Sequence, residues 1–286
     1  MNKINYTMYS GFSGMIITDG IEKTCENALR LGFSSVESFC SIMPGAENAI
    51  PDQLTARRIK KALSQANLPV VCHSVYADVW KNANAEKDLM KELEIACELH
   101  APFFHHTMLT EMTLSAGSPG YQEAIKHAVN IASRIADYAI TLGITCIYEE
   151  QGRYVNGIKG FGGFYQEIKK RCENVGVCAD LGNILFVNEK PEEFLQAYIQ
   201  DVRHVHVKDY LLKQTKECPG RYWKQAEGNN WIRGTMVGCG IVDFAACMSK
   251  LQKSGYKGAI SLEIEHPEPY EEGVRQAMEY LDRIIG

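Results

Sequence analysis

Several features that indicate a membrane protein, a nucleic-acid-binding protein or a dinucleotide-binding fold are missing from the sequence. No apolar run approaches the length of a membrane-spanning helix, and the first ten residues contain no apolar segment of a secretory signal. Lysines and arginines form no cluster, and a net charge of -5 with a pI near 5.9 argues against a phosphate-binding surface. No G-x-G-x-x-G motif opens the first predicted helix. We therefore expect neither nucleic acid nor a membrane as a partner.

The ten cysteines also lack the spacing of a metal-binding or disulfide framework. They are scattered along the chain, and no two of them form a C-x-x-C pair. Cys72, Cys146 and Cys178 lie within predicted strands, where a free thiol packs as a small hydrophobic group. This usage is typical of a reducing compartment, and we expect a cytoplasmic protein.

The apolar pattern predicts eight strand–helix units within one domain, residues 1–286. The predicted strands are residues 4–9, 33–39, 68–74, 101–108, 144–149, 175–180, 202–208 and 258–264. The predicted helices are residues 20–31, 52–66, 86–100, 122–142, 161–172, 191–198, 242–254 and 271–285. Such units with short returns favour an α/β fold, a (β/α)8 TIM barrel, over a doubly wound sheet. Residues 211–240 are predicted to be a long loop.

The stretch RHVHVKDY, residues 203–210, departs most clearly from an ordinary buried strand. Alternation places His204, His206 and Lys208 on one face, with Val205 and Val207 on the other. Two imidazoles and an amine make a poor apolar core. Imidazole is a common metal ligand, so this face indicates a metal site at the end of the strand.

Three other predicted strands end in carboxylates. Strand five ends at Glu149 and Glu150, strand six at Asp180, and strand eight carries Glu263 near its end. Because the carboxyl ends of barrel strands meet at one face, these groups and a histidine form a candidate site for one divalent metal ion, Mn²⁺, Mg²⁺, Co²⁺ or Zn²⁺. Taken singly, each residue has an alternative interpretation as a helix cap, a rim salt bridge or a hydrogen-bonded core residue.

The motifs GITCIYEEQG, VGVCADLGN, RHVHVKD and GCGIVDF…LQKSGYKGAISLEIEH resemble the xylose-isomerase-like TIM barrel family, which includes sugar phosphate isomerases and epimerases, hydroxypyruvate isomerase and inosose dehydratase. The resemblance covers nearly the whole chain and is strongest from Gly143 onward. It implies the fold, and it implies the metal ligands Glu149, Asp180, His206 and Glu263. Glu150 stands where relatives often have Asn.

The resemblance implies a divalent-metal-dependent sugar isomerase or epimerase. Two carboxylates, Glu149 and Glu263, would exchange a proton with a metal-bound enediolate of a small sugar-like substrate. A metal-dependent dehydratase of the inosose or dehydroshikimate type begins with the same proton abstraction and is the first alternative. An endonuclease IV-like phosphodiesterase and a non-catalytic sugar-binding barrel are weaker alternatives, because the chain is acidic and the ligand quartet is intact.

Further residues are candidates for holding the substrate. These are His73, His106, Asn183, Lys208, Arg221, Trp223 and Trp231. For the histidines the alternative is a satisfied core position, and for Lys208 it is a salt bridge to Asp209. Asn183 replaces a substrate-binding His of many ketose 3-epimerases. The aromatic residues of the predicted loop favour a lid; the alternative is a subunit contact in a homo-oligomer. Glu37 is expected to be a hydrogen-bond partner in the barrel mouth.

Overall fold

The computed structural model describes residues 4–285 and contains a closed barrel of parallel strands. The barrel strands are β1 (Tyr6–Met8), β2 (Ser35–Ser41), β3 (Val70–Tyr76), β4 (Phe103–His106), β5 (Thr145–Glu149), β6 (Val175–Asp180), β7 (Val202–Val207) and β11 (Ile260–Leu262). The order around the barrel is β1-β11-β7-β6-β5-β4-β3-β2. The predicted (β/α)8 barrel is confirmed.

Helices surround the barrel between successive strands. They are α1 (Phe12–Asp19), α2 (Ile21–Arg30), α3 (Gln53–Gln65), α4 (Ala85–Glu98), α5 (Tyr121–Thr141), α6 (Gly157–Lys169), α7 (Pro191–Tyr198), α8 (Phe244–Lys253) and α9 (Tyr270–Ile285), with a 3-10 helix at Asn183–Val187. Side-chain caps fix two of the starts. Asp52 accepts a hydrogen bond from the Thr55 amide, and Asp243 accepts one from the Ala246 amide. No described helix is both long and apolar enough to cross a membrane.

Helix α1 is an element that the sequence pattern did not predict. It follows β1 directly and buries only Phe12 of its eight residues. Phe12, Met15 and Ile16 have the i, i+3, i+4 spacing of a helix and pack on the core, but the segment spans only eight residues, contains Gly14 and leaves Ile17 exposed, so its apolar stripe is too short to identify a helix. The other boundaries differ from the predicted ones by a few residues at most.

The predicted loop at residues 211–240 is wrong in detail, because three of its segments pair into a small antiparallel sheet. Strand β8 (Asp209–Gln214) continues from β7 and pairs with β10 (Asn230–Thr235), which also pairs with β9 (Lys224–Gln225). We call these three strands the side sheet. Its base is held by the carboxylate of Asp209, which accepts hydrogen bonds from four backbone amides, those of Tyr210, Gly238, Gly240 and Val242.

The side sheet meets the barrel at Gly234. A Cβ added at this position would overlap the backbone carbonyl of Glu265, which is rigid backbone rather than a flexible side chain. We expect Gly234→Ala to lower the free energy of unfolding by about 1–3 kcal/mol or more, because the two backbones must separate. Urea unfolding followed by circular dichroism measures the change.

The matched control is Gly163→Ala in α6, where an added Cβ meets nothing within 4 Å. Alanine favours a helix interior over glycine by roughly 1 kcal/mol, so this variant should be at least as stable as the parent. Equal stability of the Gly163 and Gly234 variants would contradict the close approach of the side sheet.

Polar and thiol side chains fill the barrel interior near its carboxyl end. The buried ones are Glu37, Cys72, Ser74, His105, Cys178, His204, His206 and Ser261. A barrel built only for stability fills this space with branched apolar residues. The polar interior is therefore the part of the fold that bears on function.

Candidate metal centre and active site

Four side chains converge at the carboxyl ends of four adjacent barrel strands. Glu149 ends β5, Asp180 ends β6, His206 lies near the end of β7, and Glu263 follows β11. Their ligand-type atoms all lie within 4.8 Å of one another. Strands β5, β6, β7 and β11 are neighbours in the barrel, so the four positions face one point. The structure thus brings together the whole set of residues that the sequence predicts as metal ligands.

Asp180 has one oxygen committed to backbone and one free. Its Oδ1 accepts hydrogen bonds from the amides of Gly182 and Asn183 at 2.7 and 2.8 Å, which fix the carboxylate as the chain leaves β6. Its buried Oδ2 forms no hydrogen bond within residues 4–285, but the ammonium of Lys208 lies 3.0 Å away as an ion pair. A buried carboxylate oxygen of this kind is stable only when a cation faces it. This oxygen is therefore suited to a single bond with a metal ion.

The ring of His206 is oriented so that Nδ1 faces the carboxylates. Nδ1 lies 2.8 Å from Glu149 Oε1, 3.7 Å from Glu263 Oε2 and 3.9 Å from Asp180 Oδ2. Nε2 lies 3.1 Å from Glu37 Oε1 on the opposite side of the ring. A carboxylate behind a histidine fixes its tautomer and turns the other nitrogen toward a metal. Glu37 holds this position in the buried interior rather than at the barrel mouth.

Lys208 is the positive charge of the centre. Its Nζ lies 2.9 Å from Glu263 Oε1 and 3.0 Å from Asp180 Oδ2. Burial opposes its charge, but Asp180 and Glu263 raise the pKa of Lys208 well above its ordinary value. The alternative salt bridge to Asp209 is wrong, because the carboxylate of Asp209 accepts backbone amides instead.

The donor set fits a divalent cation. Three carboxylates lie close together in a buried site, and their positive neighbours are Lys208 and the imidazole of His206. Burial opposes the charge of this imidazole, but Cys178 and Glu37 raise its pKa well above the ordinary value. Burial raises the pKa of Glu263 to about 8 even though Lys208 acts in the opposite direction. In the absence of an ion the site therefore retains a proton that a divalent cation would replace. Three oxygen ligands and one imidazole match the preference of Mg²⁺ and Mn²⁺, and also admit Co²⁺ and Zn²⁺.

This raised pKa predicts how the stability of the metal-free protein depends on pH. The pKa of Glu263 is about 8 in the folded protein, and its ordinary value of 4.5 applies to the unfolded chain. The folded state therefore binds this proton more tightly than the unfolded chain does. The resulting stabilisation is complete below pH 4.5 and is lost as the pH rises through 8. We expect the unfolding temperature in EDTA to fall across this interval more steeply than in Glu263→Gln. Parallel pH profiles of the two proteins would contradict the prediction.

Glu150 does not join the four converging side chains. It is buried, and its Oε1 accepts a hydrogen bond from the backbone amide of Asp180 at 3.0 Å. Burial, followed by the charges of Asp180 and Glu149, raises the pKa of Glu150 well above its ordinary value. An asparagine at this position could accept the same backbone hydrogen bond. Of the two consecutive glutamates, Glu149 therefore lies in the candidate metal centre, and Glu150 accepts a backbone hydrogen bond outside it.

Two of the histidines predicted to bind substrate lie away from the centre. His73 Nδ1 lies 2.7 Å from Ser38 Oγ and its Nε2 lies 2.9 Å from Glu92 of α4, so His73 joins the barrel to this helix. The ring of His106 packs between Phe104 and Tyr148, and burial lowers its pKa to about 3. His73 therefore fits the alternative of a satisfied core position, whereas both ring nitrogens of His106 are buried without a hydrogen-bond partner among residues 4–285, and its substrate role stays a prediction.

His105 closes β4 beside His106, and the sequence favoured a satisfied core or rim position for it over a substrate contact. It is buried in the barrel interior, and its Nε2 lies 3.8 Å from Glu149 Oε2. Its Nδ1 lies 3.0 Å from Ser74 Oγ. Alternation along β4 places only one of two consecutive histidines inside the barrel. The polar residues on neighbouring strands are the signal that could have selected His105.

The other predicted substrate residues contact the side sheet or the backbone. Trp231 Nε1 donates to the Thr215 carbonyl at 3.1 Å, and the guanidinium of Arg233 lies 5.5 Å from the Trp223 ring centre. Arg221 is exposed and lies over the Tyr222 ring. Asn183 is buried beside Asp180 with its Nδ2 free of partners within the described chain. Their substrate roles and the lid stay predictions.

Glu265 connects the side sheet to the centre. Its Oε2 accepts hydrogen bonds from Tyr210 Oη at 2.9 Å and from Lys224 Nζ at 2.6 Å. Its Oε1 lies 3.7 Å from Lys208 Nζ. A movement of β8 or β9 would therefore shift Glu265 and change the ionic contacts of Lys208, the lysine that faces Asp180 and Glu263.

Curated relatives of the chain share part of its length. An inosose dehydratase of Lacticaseibacillus casei is 28% identical over 114 residues, which are 38% of this chain and 38% of that protein. An inosose dehydratase of Geobacillus thermodenitrificans is 23% identical over 159 residues, 54% of this chain and 52% of that protein. The matched part thus spans between about a third and about half of these relatives.

Solved structures share the whole fold at low identity. A xylose isomerase domain protein from Planctomyces limnophilus has a TM-score of 0.75 at 16% identity, covering 99% of this chain and 98% of its own. A D-allulose 3-epimerase from Methylomonas sp. has a TM-score of 0.71 at 18% identity and 99% coverage of each chain. A xylose isomerase-like barrel protein from Mycobacterium smegmatis, in complex with magnesium, has a TM-score of 0.72 at 18% identity, covering 99% and 96%.

The family described as xylose isomerase-like TIM barrel matches residues 25–284, which include every strand of the candidate centre. The closed barrel and its full-length structural neighbours agree with this match. The chain belongs to the xylose isomerase-like TIM barrel family.

Proposed function

We propose that this protein is a divalent-metal-dependent dehydratase that removes water from a hydroxylated ketone derived from a sugar or a cyclitol. The observation that carries the proposal is the convergence of Glu149, Asp180, His206 and Glu263 within 4.8 Å beside a buried lysine. The curated relatives support dehydration over the isomerisation that the sequence motifs favoured, because they are named inosose dehydratases.

The four converging residues would hold one divalent ion. When bound, such an ion polarises the substrate carbonyl and lowers the pKa of the adjacent C–H group. The neighbour that carries magnesium supports an oxygen-rich site of this kind. Side chains of the protein would carry out the proton transfers and stabilise the charge that develops on the substrate.

Glu149 is the base in this proposal. Its Oε1 faces His206, whereas its Oε2 accepts no hydrogen bond within residues 4–285 and lies 3.8 Å from the nearest imidazole nitrogen, that of His105. Glu263 is tied to Lys208 and is the weaker candidate for this step. Oε2 takes the proton next to the carbonyl, and the ammonium of Lys208 stabilises the negative charge that develops on the enolate oxygen.

Dehydration completes the reaction from the same enolate. Its electron pair forms the new carbon–carbon double bond, the bond to the β-hydroxyl breaks, and the hydroxyl leaves as water after it receives a proton. The proton that Glu149 has taken balances this step: it passes to the leaving hydroxyl, either directly or through Glu263, which follows β11, three strands away from β5 around the barrel. Proton transfer of this type contributes on the order of 10²–10⁴ in rate.

Epimerisation or isomerisation of a sugar is the second candidate, and the same two carboxylates favour it. Return of the proton by Glu263 to the face opposite Glu149 would invert the carbon, and return to the neighbouring carbon would shift the carbonyl. The D-allulose 3-epimerase neighbour supports this alternative through its fold. The acidic chain gives no support to a phosphodiesterase.

The test incubates the Mn²⁺-loaded protein in D₂O with keto-inositols, dehydroshikimate, ketoses, aldoses and keto-glycosides. NMR follows deuterium entry beside the carbonyl, and ultraviolet absorbance follows the unsaturated ketone. We expect exchange together with loss of water for one cyclitol-type or acidic ketone. Exchange with an inverted or shifted carbon and no loss of water would move the assignment to the epimerase. A stoichiometric metal without any exchange across the panel would reject proton abstraction.

A further inference from the structure

A second group of metal-ligating atoms lies deeper in the barrel than the candidate centre. The ligand-type atoms of His105, Cys178 and His206 lie within 4.8 Å of one another, and all three residues are buried. Cys178 precedes Asp180 by two residues on β6 and faces the same interior, so it lies one step further from the barrel mouth. This group contains a sulfur and two imidazoles, whereas the upper group is rich in oxygen.

His105 has the geometry of a metal ligand that lacks its metal partner. Its Nδ1 lies 3.0 Å from Ser74 Oγ, and Ser74 also donates to Glu37, so the ring orientation is fixed from behind. Its Nε2 is buried and has no hydrogen-bond partner within the described chain. That nitrogen lies 3.8 Å from Glu149 Oε2, so a small shift of this carboxylate toward Cys178 would complete a tetrahedral set around the three buried ligands.

Cys178 is suited to ligation and unsuited to other thiol chemistry. It is fully buried between His206 and the apolar base of the barrel, where it forms no disulfide. A thiol enclosed in this way is inaccessible to electrophiles and oxidants in solution. A thiophilic ion that binds the sulfur would displace the thiol proton to solvent.

We infer that the barrel contains a second, lower cation seat formed by His105, Cys178, His206 and Glu149, which takes a thiophilic ion such as Zn²⁺, Cd²⁺ or Co²⁺. Thiolate and imidazole ligands in a tetrahedral set select these ions, whereas the oxygen-rich upper seat selects Mg²⁺ and Mn²⁺. The two seats share Glu149 and His206, so only one can be filled at a time. The inference rests on the proposed function in one respect: that proposal makes Glu149 and His206 ligands of the ion in the upper seat.

The lower seat has a functional consequence. An ion held there would bind Glu149, the proposed base, and would draw His206 away from Asp180 and Glu263. A thiophilic ion should therefore displace Mn²⁺ from the protein and should not support proton abstraction. The protein would therefore be active with Mn²⁺ in the upper seat and inactive with a thiophilic ion in the lower seat, with the same fold in both cases.

Cobalt spectroscopy of the full chain tests the lower seat directly. Metal-free protein is titrated with Co²⁺ while the thiolate-to-cobalt charge-transfer band in the near ultraviolet is recorded. We expect the band to saturate at one equivalent, to be lost in Cys178→Ser, and to persist in Cys72→Ser. Cys72 is the matched control, because it is a buried thiol in the same barrel interior that lies outside the proposed ligand set.

Displacement measures the same seat without any substrate. Cd²⁺ is added to the Mn²⁺-loaded protein, and released Mn²⁺ is followed by electron paramagnetic resonance. We expect stoichiometric release in the parent protein, and about 10–100-fold weaker competition by Cd²⁺ in Cys178→Ser with unchanged affinity for Mn²⁺. If Cys178→Ser does not fold, Cys178→Ala replaces it, and the band and displacement in the parent protein decide the question.

Three results would overturn the inference. They are stoichiometric Co²⁺ without a thiolate band, a band that survives loss of Cys178, and a band lost in Cys72→Ser instead, which would move the ion to the neighbouring set of Glu37, Cys72 and His204. Failure of the proposed function can be distinguished from failure of this inference. Tight Mn²⁺ binding with no proton abstraction rejects that function and leaves the lower seat to the cobalt result.

Discussion

Replacing Glu149 with glutamine is expected to lower turnover by about 10³-fold and to weaken Mn²⁺ binding at least tenfold, whereas Glu150→Gln should preserve both. The two residues are consecutive, but only Glu149 lies within the converging ligand set. An amide removes the charge that balances the ion and the oxygen that takes the proton. Isothermal titration with Mn²⁺ measures the first effect, and turnover of the substrate identified by deuterium exchange measures the second.

Glu150→Gln is the matched control because it makes the same chemical change one residue away. Glu150 accepts a backbone hydrogen bond from Asp180, and burial raises the pKa of its carboxyl well above the ordinary value. A glutamine oxygen can accept the same hydrogen bond. Equal losses in the two variants would indicate that disruption of β5, rather than loss of a ligand and base, explains the effect.

The separation of these two glutamates shows which parts of the site follow from sequence. Alternation along a strand places Glu149 with Thr145 and Ile147, and the neighbouring strands carry Asp180 and His206 at equivalent heights. The closed barrel then brings these ends together. Strand periodicity and barrel topology therefore predict that carboxylates and a histidine meet at this face, whereas the choice of Glu149 over Glu150 came from the family resemblance.

The partners of individual side chains were harder to predict. A salt bridge between Lys208 and its neighbour Asp209 was the alternative interpretation of this lysine, but the carboxylate of Asp209 instead accepts hydrogen bonds from amides up to 33 residues away. The choice between His105 and His106 depends on the twist and register of a four-residue strand, which periodicity cannot fix at such short length. The side sheet itself was missed although Pro219–Gly220 and Gly228–Asn229 are turn signals between its strands.

Glu37 is the clearest case of a functional contact that sequence distance conceals. It lies 169 residues from His206, yet it accepts from Nε2 of both His204 and His206 and from the hydroxyls of Ser74 and Ser261. Burial works against its charge, but the two histidines hold the pKa of Glu37 well below its ordinary value. An ionised carboxylate in the barrel interior therefore fixes the imidazole that faces the metal centre.

Glu37→Gln is accordingly expected to weaken Mn²⁺ binding about 10–100-fold and to lower the free energy of unfolding by about 3–5 kcal/mol. The amide group of glutamine presents donors where the imidazoles and hydroxyls also donate, so at least one buried donor loses its acceptor and the ring of His206 is no longer fixed. Isothermal titration measures the affinity for Mn²⁺, and urea unfolding of the metal-free protein measures the stability.

Glu92→Gln separates the positioning role of Glu37 from a general effect on stability. Glu92 is also a buried carboxylate that accepts from a histidine, since its Oε2 lies 2.9 Å from His73 Nε2, but this pair joins α4 to β3 outside the barrel interior. Both variants should be destabilised, and only Glu37→Gln should bind Mn²⁺ more weakly. If the two variants lose stability and metal affinity in the same proportion, the orientation of His206 does not depend on Glu37, and the ligand set is held by the barrel strands alone.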